Sequence, residues 1–187
     1  MYKVNEIFYS LQGEGAFTGT PMIFVRFNGC NRACHFCDTD FSTFTEMSSD
    51  DILETIRQYP SRRVVLTGGE PMLQVDDALV EALHREHFKI HIETNGSLPV
   101  AKGIDWVTCS PKSKPWRIEM EKVDEIKIVY TGQANSELDS LRKYFSKTAL
   151  FYLQPCSGEN IIETVAKTLE LPDWRLSLQT HKLINIQ

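Results

Sequence analysis

Seven short apolar runs recur along the chain, at 22–27, 63–66, 89–92, 105–108, 125–129, 150–153 and 175–178, and each has the period-two or continuous pattern of a β-strand. Helical patterns lie between several of them. Ser48 or Ser49 precedes Ile52, Leu53 and Ile56 as a cap, and Leu79, Val80, Leu83 and His87 recur on one face of a second helix. Leu138, Leu141 and Phe145 mark a third, and residues 161–171 a fourth. Strands alternating with helices imply parallel pairing through right-handed crossovers, and so an α/β layer architecture.

The segments just past the strands are more specific. Five runs close on polar clusters: Thr67-Gly68-Gly69-Glu70, Glu93-Thr94-Asn95-Gly96, Ser110-Pro111-Lys112, Gln154-Pro155 and Gln179-Thr180-His181-Lys182. Loops at the carboxyl ends of parallel strands converge on one rim, which is where ligands bind. A closed eight-fold barrel needs about 200 residues or more, so a partial, open barrel is expected. The stretches 94–104 and 109–122 read as loops, which implies reduced crossover helices there. No repeat, low-complexity tract or linker interrupts the pattern, and residues 1–187 are expected to form a single domain. On the rim, Glu93 and Asn95 are open to two roles, lining the site or tying its loops together.

Composition excludes several classes. Lys and Arg total 20 against 25 Asp and Glu, a net charge of −5 that offers no field for gripping a polyanion, so direct nucleic-acid binding is not expected. No apolar run of about 18 residues suggests a membrane span, and the first residues carry no signal- or transit-peptide pattern. A cytoplasmic protein with reduced thiols is the expectation. Three of the five cysteines fall within eight residues, which points to metal ligation and not to a disulfide framework.

Cys30-x3-Cys34-x2-Cys37 is an incomplete set for structural zinc, and His35, between Cys34 and Phe36, is poorly placed to complete it. An iron–sulfur cubane held by three thiolates instead keeps one iron open to an exchangeable ligand. A zinc knuckle remains the bland alternative. Cys109 and Cys156 have no partner in the pattern and read as buried thiols, and the tryptophans as packing residues. The cysteine loop, with Phe36 before its third cysteine and Thr67-Gly68-Gly69-Glu70-Pro71 downstream, resembles the radical S-adenosylmethionine superfamily. The resemblance implies a partial (β/α) barrel, a 4Fe-4S cluster on Cys30, Cys34 and Cys37, and S-adenosylmethionine on the open iron, cleaved on reduction to a 5'-deoxyadenosyl radical. Two glycines let backbone carbonyls approach the methionine ammonium, and Glu70 adds negative charge.

Within the superfamily, Ser10-Leu11-Gln12-Gly13-Glu14-Gly15, Gly19, Arg26, Gly29-Cys30, Cys37-Asp38-Thr39, Ser110-Pro111-Lys112 and Gln179-Thr180-His181-Lys182 are similar to the 7-carboxy-7-deazaguanine synthases, over residues 5–186. That family converts 6-carboxy-5,6,7,8-tetrahydropterin to 7-carboxy-7-deazaguanine with loss of ammonia, toward queuosine and the tRNA modification it serves. The resemblance implies pterin contacts from Leu11, Gln12, Gly13, Arg26, Thr67, His181 and Gln187, with Arg26 taking the substrate carboxylate. It implies cofactor contacts from Phe36, Cys37, Asp38, Gly69, Glu70, Ser110, Pro111, Lys112 and Gln154, and Mg2+ on Thr39, a hard-oxygen ligand. No protein residue is assigned as a general acid or base. A flavodoxin or ferredoxin is the expected electron donor and a homodimer the expected assembly. The segment between Cys37 and the helix near Ser49 is compact for the family, and the chain ends in Ile186-Gln187 where some relatives end in proline. Two rivals remain: a glycyl-radical activating enzyme, and a non-enzymatic iron–sulfur or zinc module.

Overall fold

The computed structural model describes residues 1–37, 39–112, 118–120, 122–145 and 149–187. Among them nine strands form one sheet: β1 (Tyr2–Leu11), β2 (Pro21–Phe27), β3 (Thr45–Met47), β4 (Arg63–Gly68), β5 (Lys89–Thr94), β6 (Trp106–Cys109), β7 (Glu125–Tyr130), β8 (Leu150–Pro155) and β9 (Arg175–Leu176). The order is β3-β1-β2-β4-β5-β6-β7-β8-β9, parallel from β2 onward, with β1 antiparallel to both β2 and β3. The end strands β3 and β9 do not pair with each other, so the barrel is open as expected.

The helices are α1 (Ser49–Arg57), α2 (Asp77–Arg85), α3 (Asn135–Phe145), α4 (Ile161–Glu170) and the short α5 (Thr180–Leu183). Ser48, not Ser49, caps α1, in a reciprocal box with Asp51 that satisfies a free amide at each end of the exchange. Asp76 caps α2 by accepting from Leu79 N–H. His87 lies past the end of α2 at φ 61°, so it does not share the face of Leu79 and Leu83. No helix occupies 94–104 or 109–122 among the described residues, consistent with reduced crossovers.

Two strands escape the apolar-run pattern. β1 pairs with β2 from Val4 to Leu11, but a register shift between Val4 and Glu6 breaks its alternation, so Tyr2 and Val4 are buried while Phe8 and Tyr9 face partly open space. β3 has three residues and no buried side chain. β9 is shorter than its apolar run, because Ser177 turns its hydroxyl to Gln154 (3.0 Å) after one last backbone bond to Leu153.

Period-two alternation assigns each strand two jobs. Ile23, Val25, Phe27, Val64, Leu66, Ile90, Ile92, Val107, Ile126, Ile128 and Leu153 join one apolar cluster with Ile52, Leu79, Leu83, Leu138 and Leu141 of the helices. The alternate residues, among them Arg26, Thr67, Glu93, Lys127 and Gln154, turn the other way and line the concavity. The apolar layer stabilises the sheet and leaves its concave side free to carry charge.

Candidate functional site

The loop after β2 carries the three cysteines, and both of its legs are pinned. Asn28 donates to the carbonyls of Phe41 (3.0 Å) and Thr43 (3.2 Å), and Asn5 to that of Asp40 (2.6 Å). On the far side Asn31 donates to Ser97 and accepts from Asn95. Cys37 N–H closes a turn on the Cys34 carbonyl at 3.1 Å. Cys30 and Cys34 are half-buried and Cys37 is exposed. Burial pushes the Cys34 thiol above its ordinary value, while nearby Lys112 pulls against that shift.

The 68–70 loop is joined to this one backbone to backbone. Gly69 N–H reaches the Phe27 carbonyl and Glu70 N–H the Gly29 carbonyl at 3.0 Å. A Cβ on Gly69 would stand 2.1 Å from Gly29 O and 2.8 Å from Cys30 Cβ, so only glycine fits the approach. Glu70 itself is wholly buried and does not line the cavity. Its carboxylate accepts from Thr94 Oγ1 (2.8 Å), Asn95 N–H (2.7 Å) and Met72 N–H (3.0 Å), tying the ends of β4 and β5 together. Burial raises its pKa even against those donors.

Two cavities open side by side on this rim. The smaller, about 230 Å³, is lined by Cys30, Cys34, Cys37, Phe36, Gly69, Ser110, Lys112 and Gln154. The larger, about 490 Å³, is lined by Leu11, Gln12, Gly13, His181 and Gln187. Arg26, Thr39, Thr67, Glu14, Glu93 and Gln179 line both. Pro111 lines neither; it faces a third hollow on the outer side of the cysteine loop with Arg32 and His35. Asp38 lies outside the described residues.

Beneath the shared wall lies a charge network that the apolar runs concealed. Lys127 of β7 is 3% exposed and donates to Glu14 (2.5 Å) and Glu93 (2.8 Å). Burial opposes charge on all three, yet Lys127 holds Glu14 down to about 2, and the carboxylates push Lys127 up. On Glu93 burial prevails and its pKa rises. Glu14 also accepts from Gln154 (3.1 Å) and Gln179 (2.8 Å), while Gln12 bridges Glu93 and the Glu14 amide. A lysine set between isoleucines on a strand, as in Ile126-Lys127-Ile128, is the signal that points to it.

The two ends of the chain meet here. Thr180 donates from N–H and hydroxyl to the Gly13 carbonyl (2.9 and 3.0 Å), and a Cβ on Gly13 would stand 2.0 Å from His181 Nδ1. Arg26 donates through Nε to Glu6 (2.7 Å) and lies over the Phe8 ring (5.7 Å). Lys112 donates to Ser110 (2.7 Å), lies over Phe36 (5.7 Å), and is held below its usual pKa by burial. Cys109 is buried, its thiol raised by desolvation, whereas Cys156 is only half-buried.

The donor set suits an iron–sulfur cluster. All three thiols line one cavity, and three thiolates would hold a cubane with one iron left open to that cavity.

The family model of the radical SAM superfamily matches residues 24–165. A 7-carboxy-7-deazaguanine synthase of Bacteroides thetaiotaomicron is 50% identical over 187 residues, covering 100% of both chains. One of Bordetella pertussis is 40% identical over 213 residues, covering 99% of each. Among solved structures, QueE from Escherichia coli superposes with a TM-score of 0.79 at 30% identity, over 95% of this chain and 93% of that one. Streptococcus suis SuiB bound to S-adenosylmethionine shares the fold, with a TM-score of 0.52 at 19% identity over 80% of this chain and 44% of that one.

Proposed function

The chain belongs to the 7-carboxy-7-deazaguanine synthase family of radical S-adenosylmethionine enzymes, which convert 6-carboxy-5,6,7,8-tetrahydropterin to 7-carboxy-7-deazaguanine with loss of ammonia, and we propose that its two joined cavities divide that reaction between them. The observation that carries this reading is the shared wall. Arg26, Thr39, Thr67 and Glu93 face both the thiol-lined cavity and the larger one, so groups bound in each would meet across them. The whole chain acts as one catalytic domain.

Cys30, Cys34 and Cys37 hold the 4Fe-4S cluster, and Phe36, Cys37, Gly69, Ser110, Lys112 and Gln154 surround S-adenosylmethionine. When bound, these groups supply a reductively generated radical that takes a hydrogen from the substrate. Glu70 acts on the cofactor through the loop that it orders, and Pro111 by supporting Lys112 from the outer side. The pterin occupies the larger cavity, its edge against Leu11, Gln12 and Gly13, its carboxylate on Arg26, with Thr67, His181 and the Gln187 terminus around it. Thr39, beside Asp40 in the same lining, offers Mg2+ a hard oxygen. The buried Lys127 network fixes Glu14 and Glu93 in the shared wall, where local charges act strongly.

An acidic flavodoxin or ferredoxin would approach the outer hollow beside Cys34, where Arg32 is exposed. No described helix is long and apolar enough to cross a membrane, and an oxygen-labile cluster suits the reducing cytoplasm. The test is anaerobic turnover of reconstituted protein with dithionite, S-adenosylmethionine, Mg2+ and 6-carboxytetrahydropterin, followed by mass spectrometry. Release of 7-carboxy-7-deazaguanine is expected. Deoxyadenosine without that product would leave the radical chemistry standing and overturn the substrate. In Cys34→Ala, iron should fall to background; full iron would overturn the ligand set.

A further inference from the structure

We propose that Glu6 is a positioning residue for the substrate carboxylate, holding Arg26 by one edge so that the rest of its guanidinium is free for the ligand. The proposal rests on the assignment of that carboxylate to Arg26. Glu6 stands directly after the register shift in β1, opposite Arg26 in the β1–β2 pairing. A bulge of this kind re-aims a side chain, and here it turns Glu6 into the larger cavity. Glu6 Oε1 accepts from Arg26 Nε at 2.7 Å, and Oε2 accepts from the Gln187 side-chain amide at 2.6 Å. Gln187 is itself held, because its main-chain oxygen accepts from Ser10 Oγ at 2.5 Å.

Arginine recognises a carboxylate through a planar fork of donors. A contact through Nε occupies the side of that fork and leaves the two terminal nitrogens for a second acceptor. The face of the guanidinium lies over Phe8, which stacks on Phe24 at 4.9 Å and 7°. Edge and face are thus both restrained, and Arg26 awaits its ligand with little rotamer freedom left to lose. The pair is partly open to solvent, with side-chain exposures of 28% and 37%, so as an ion pair it adds little to stability. Its effect is preorganisation. Ordering a free, rotamer-rich side chain on binding costs enough to weaken affinity about three- to tenfold.

The sign of the effect separates this role from bulk electrostatics. Removing a carboxylate beside Arg26 makes the cavity more positive and by charge alone would tighten an anionic ligand. The structure assigns Glu6 the opposite effect. The test is calorimetric titration of 6-carboxytetrahydropterin into unreduced enzyme carrying its cluster, S-adenosylmethionine and Mg2+, together with steady-state kinetics. Glu6→Ala should raise Kd and KM about three- to tenfold with kcat, iron content and melting temperature near wild type. Glu6→Gln, which still accepts from Nε, should restore most of the affinity. In an Arg26→Ala background Glu6→Ala should add nothing further. Unchanged or tighter binding by Glu6→Ala, where Arg26→Ala binds weakly, would overturn the role of Glu6 alone. Unchanged binding by Arg26→Ala would overturn the carboxylate assignment and this proposal with it.

Discussion

Two buried titratable side chains on neighbouring parts of the sheet pull the stability of the protein in opposite directions with pH. Glu125 of β7 is 2% exposed and accepts from Ala16 N–H at 3.0 Å; burial raises its pKa from 4.5 to about 7. His91 of β5 lies edge-on to Phe17 with Trp106 beside it, and burial lowers it from 6.5 to about 4. Between pH 4.5 and 7 the folded chain keeps the Glu125 proton that the unfolded chain has lost, so this residue's contribution falls as pH rises. Between pH 4 and 6.5 the unfolded chain binds the His91 proton that the folded chain refuses, so that contribution rises with pH. Where the windows overlap, the two slopes oppose each other. Glu125→Gln keeps the acceptor for Ala16 and should gain on wild type from pH 4.5 upward, by at most about 3 kcal/mol at neutrality. His91→Phe should tilt the profile the other way. Denaturant midpoints across this range would check both; parallel profiles for wild type and Glu125→Gln would remove Glu125 as a source of the pH dependence.

Alternation along a strand explains both what could be read from the sequence and what could not. The parallel strands were legible because their outward residues make continuous apolar signals, such as Val64 with Leu66 or Ile126 with Ile128. β1 was not, because its bulge changes which parity is buried partway along, and β3 has no apolar face to announce it. The cysteine loop was legible because its ligands are neighbours in sequence. Arg26 and Gln187 came together only through the resemblance and Glu6 not at all, since partners 20 and 181 positions apart meet only when the first strand and the last residues fold onto one cavity. Glu70 was assigned to the cofactor from its motif, and only the tertiary fold shows its carboxylate spent on Thr94, Asn95 and Met72. The same loop yields a prediction. In Gly69→Ala the new methyl meets backbone at Gly29, which cannot yield as a flexible side chain can. The cysteine loop must move, costing roughly 1–3 kcal/mol and lowering the iron retained after reconstitution. Iron content and a thermal melt decide it, and full iron with an unchanged melt would show that the two loops are not rigidly joined.

Across the whole molecule, α4 departs from the rule that an amphipathic helix buries its apolar face. Only Thr164 is buried on it, while Ile162 and Leu169 are 82% and 80% exposed. With Val165 and Ala166 they fall at i, i+3, i+4 and i+7, which is one stripe of a helix. Scattered exposed apolar residues are ordinary, but the homodimer expected from the resemblance would need such a patch, and Ile162, Ala166 and Leu169 are exposed here beside half-buried Val165. A two-fold axis through the middle of α4 would set Ile162 against the partner's Leu169 and Val165 against the partner's Ala166, a self-complementary contact of the kind that closes a dimer. Ten residues of helix span about 15 Å and fall short of the roughly 800 Å² per partner of a stable interface. In such a dimer, flanking residues of the α3 and β9 surfaces would have to contribute. Because α4 lies on the outside of the sheet, joined to α3 by the Lys167 bond to Asn135 (3.1 Å), pairing there leaves the rim of the barrel clear. Replacing Ile162 and Leu169 together by Glu should shift sedimentation from dimer to monomer at micromolar concentration, with cluster content and turnover per chain retained. A wild-type monomer under those conditions, or a doubly substituted dimer, would show that α4 is not where two copies meet.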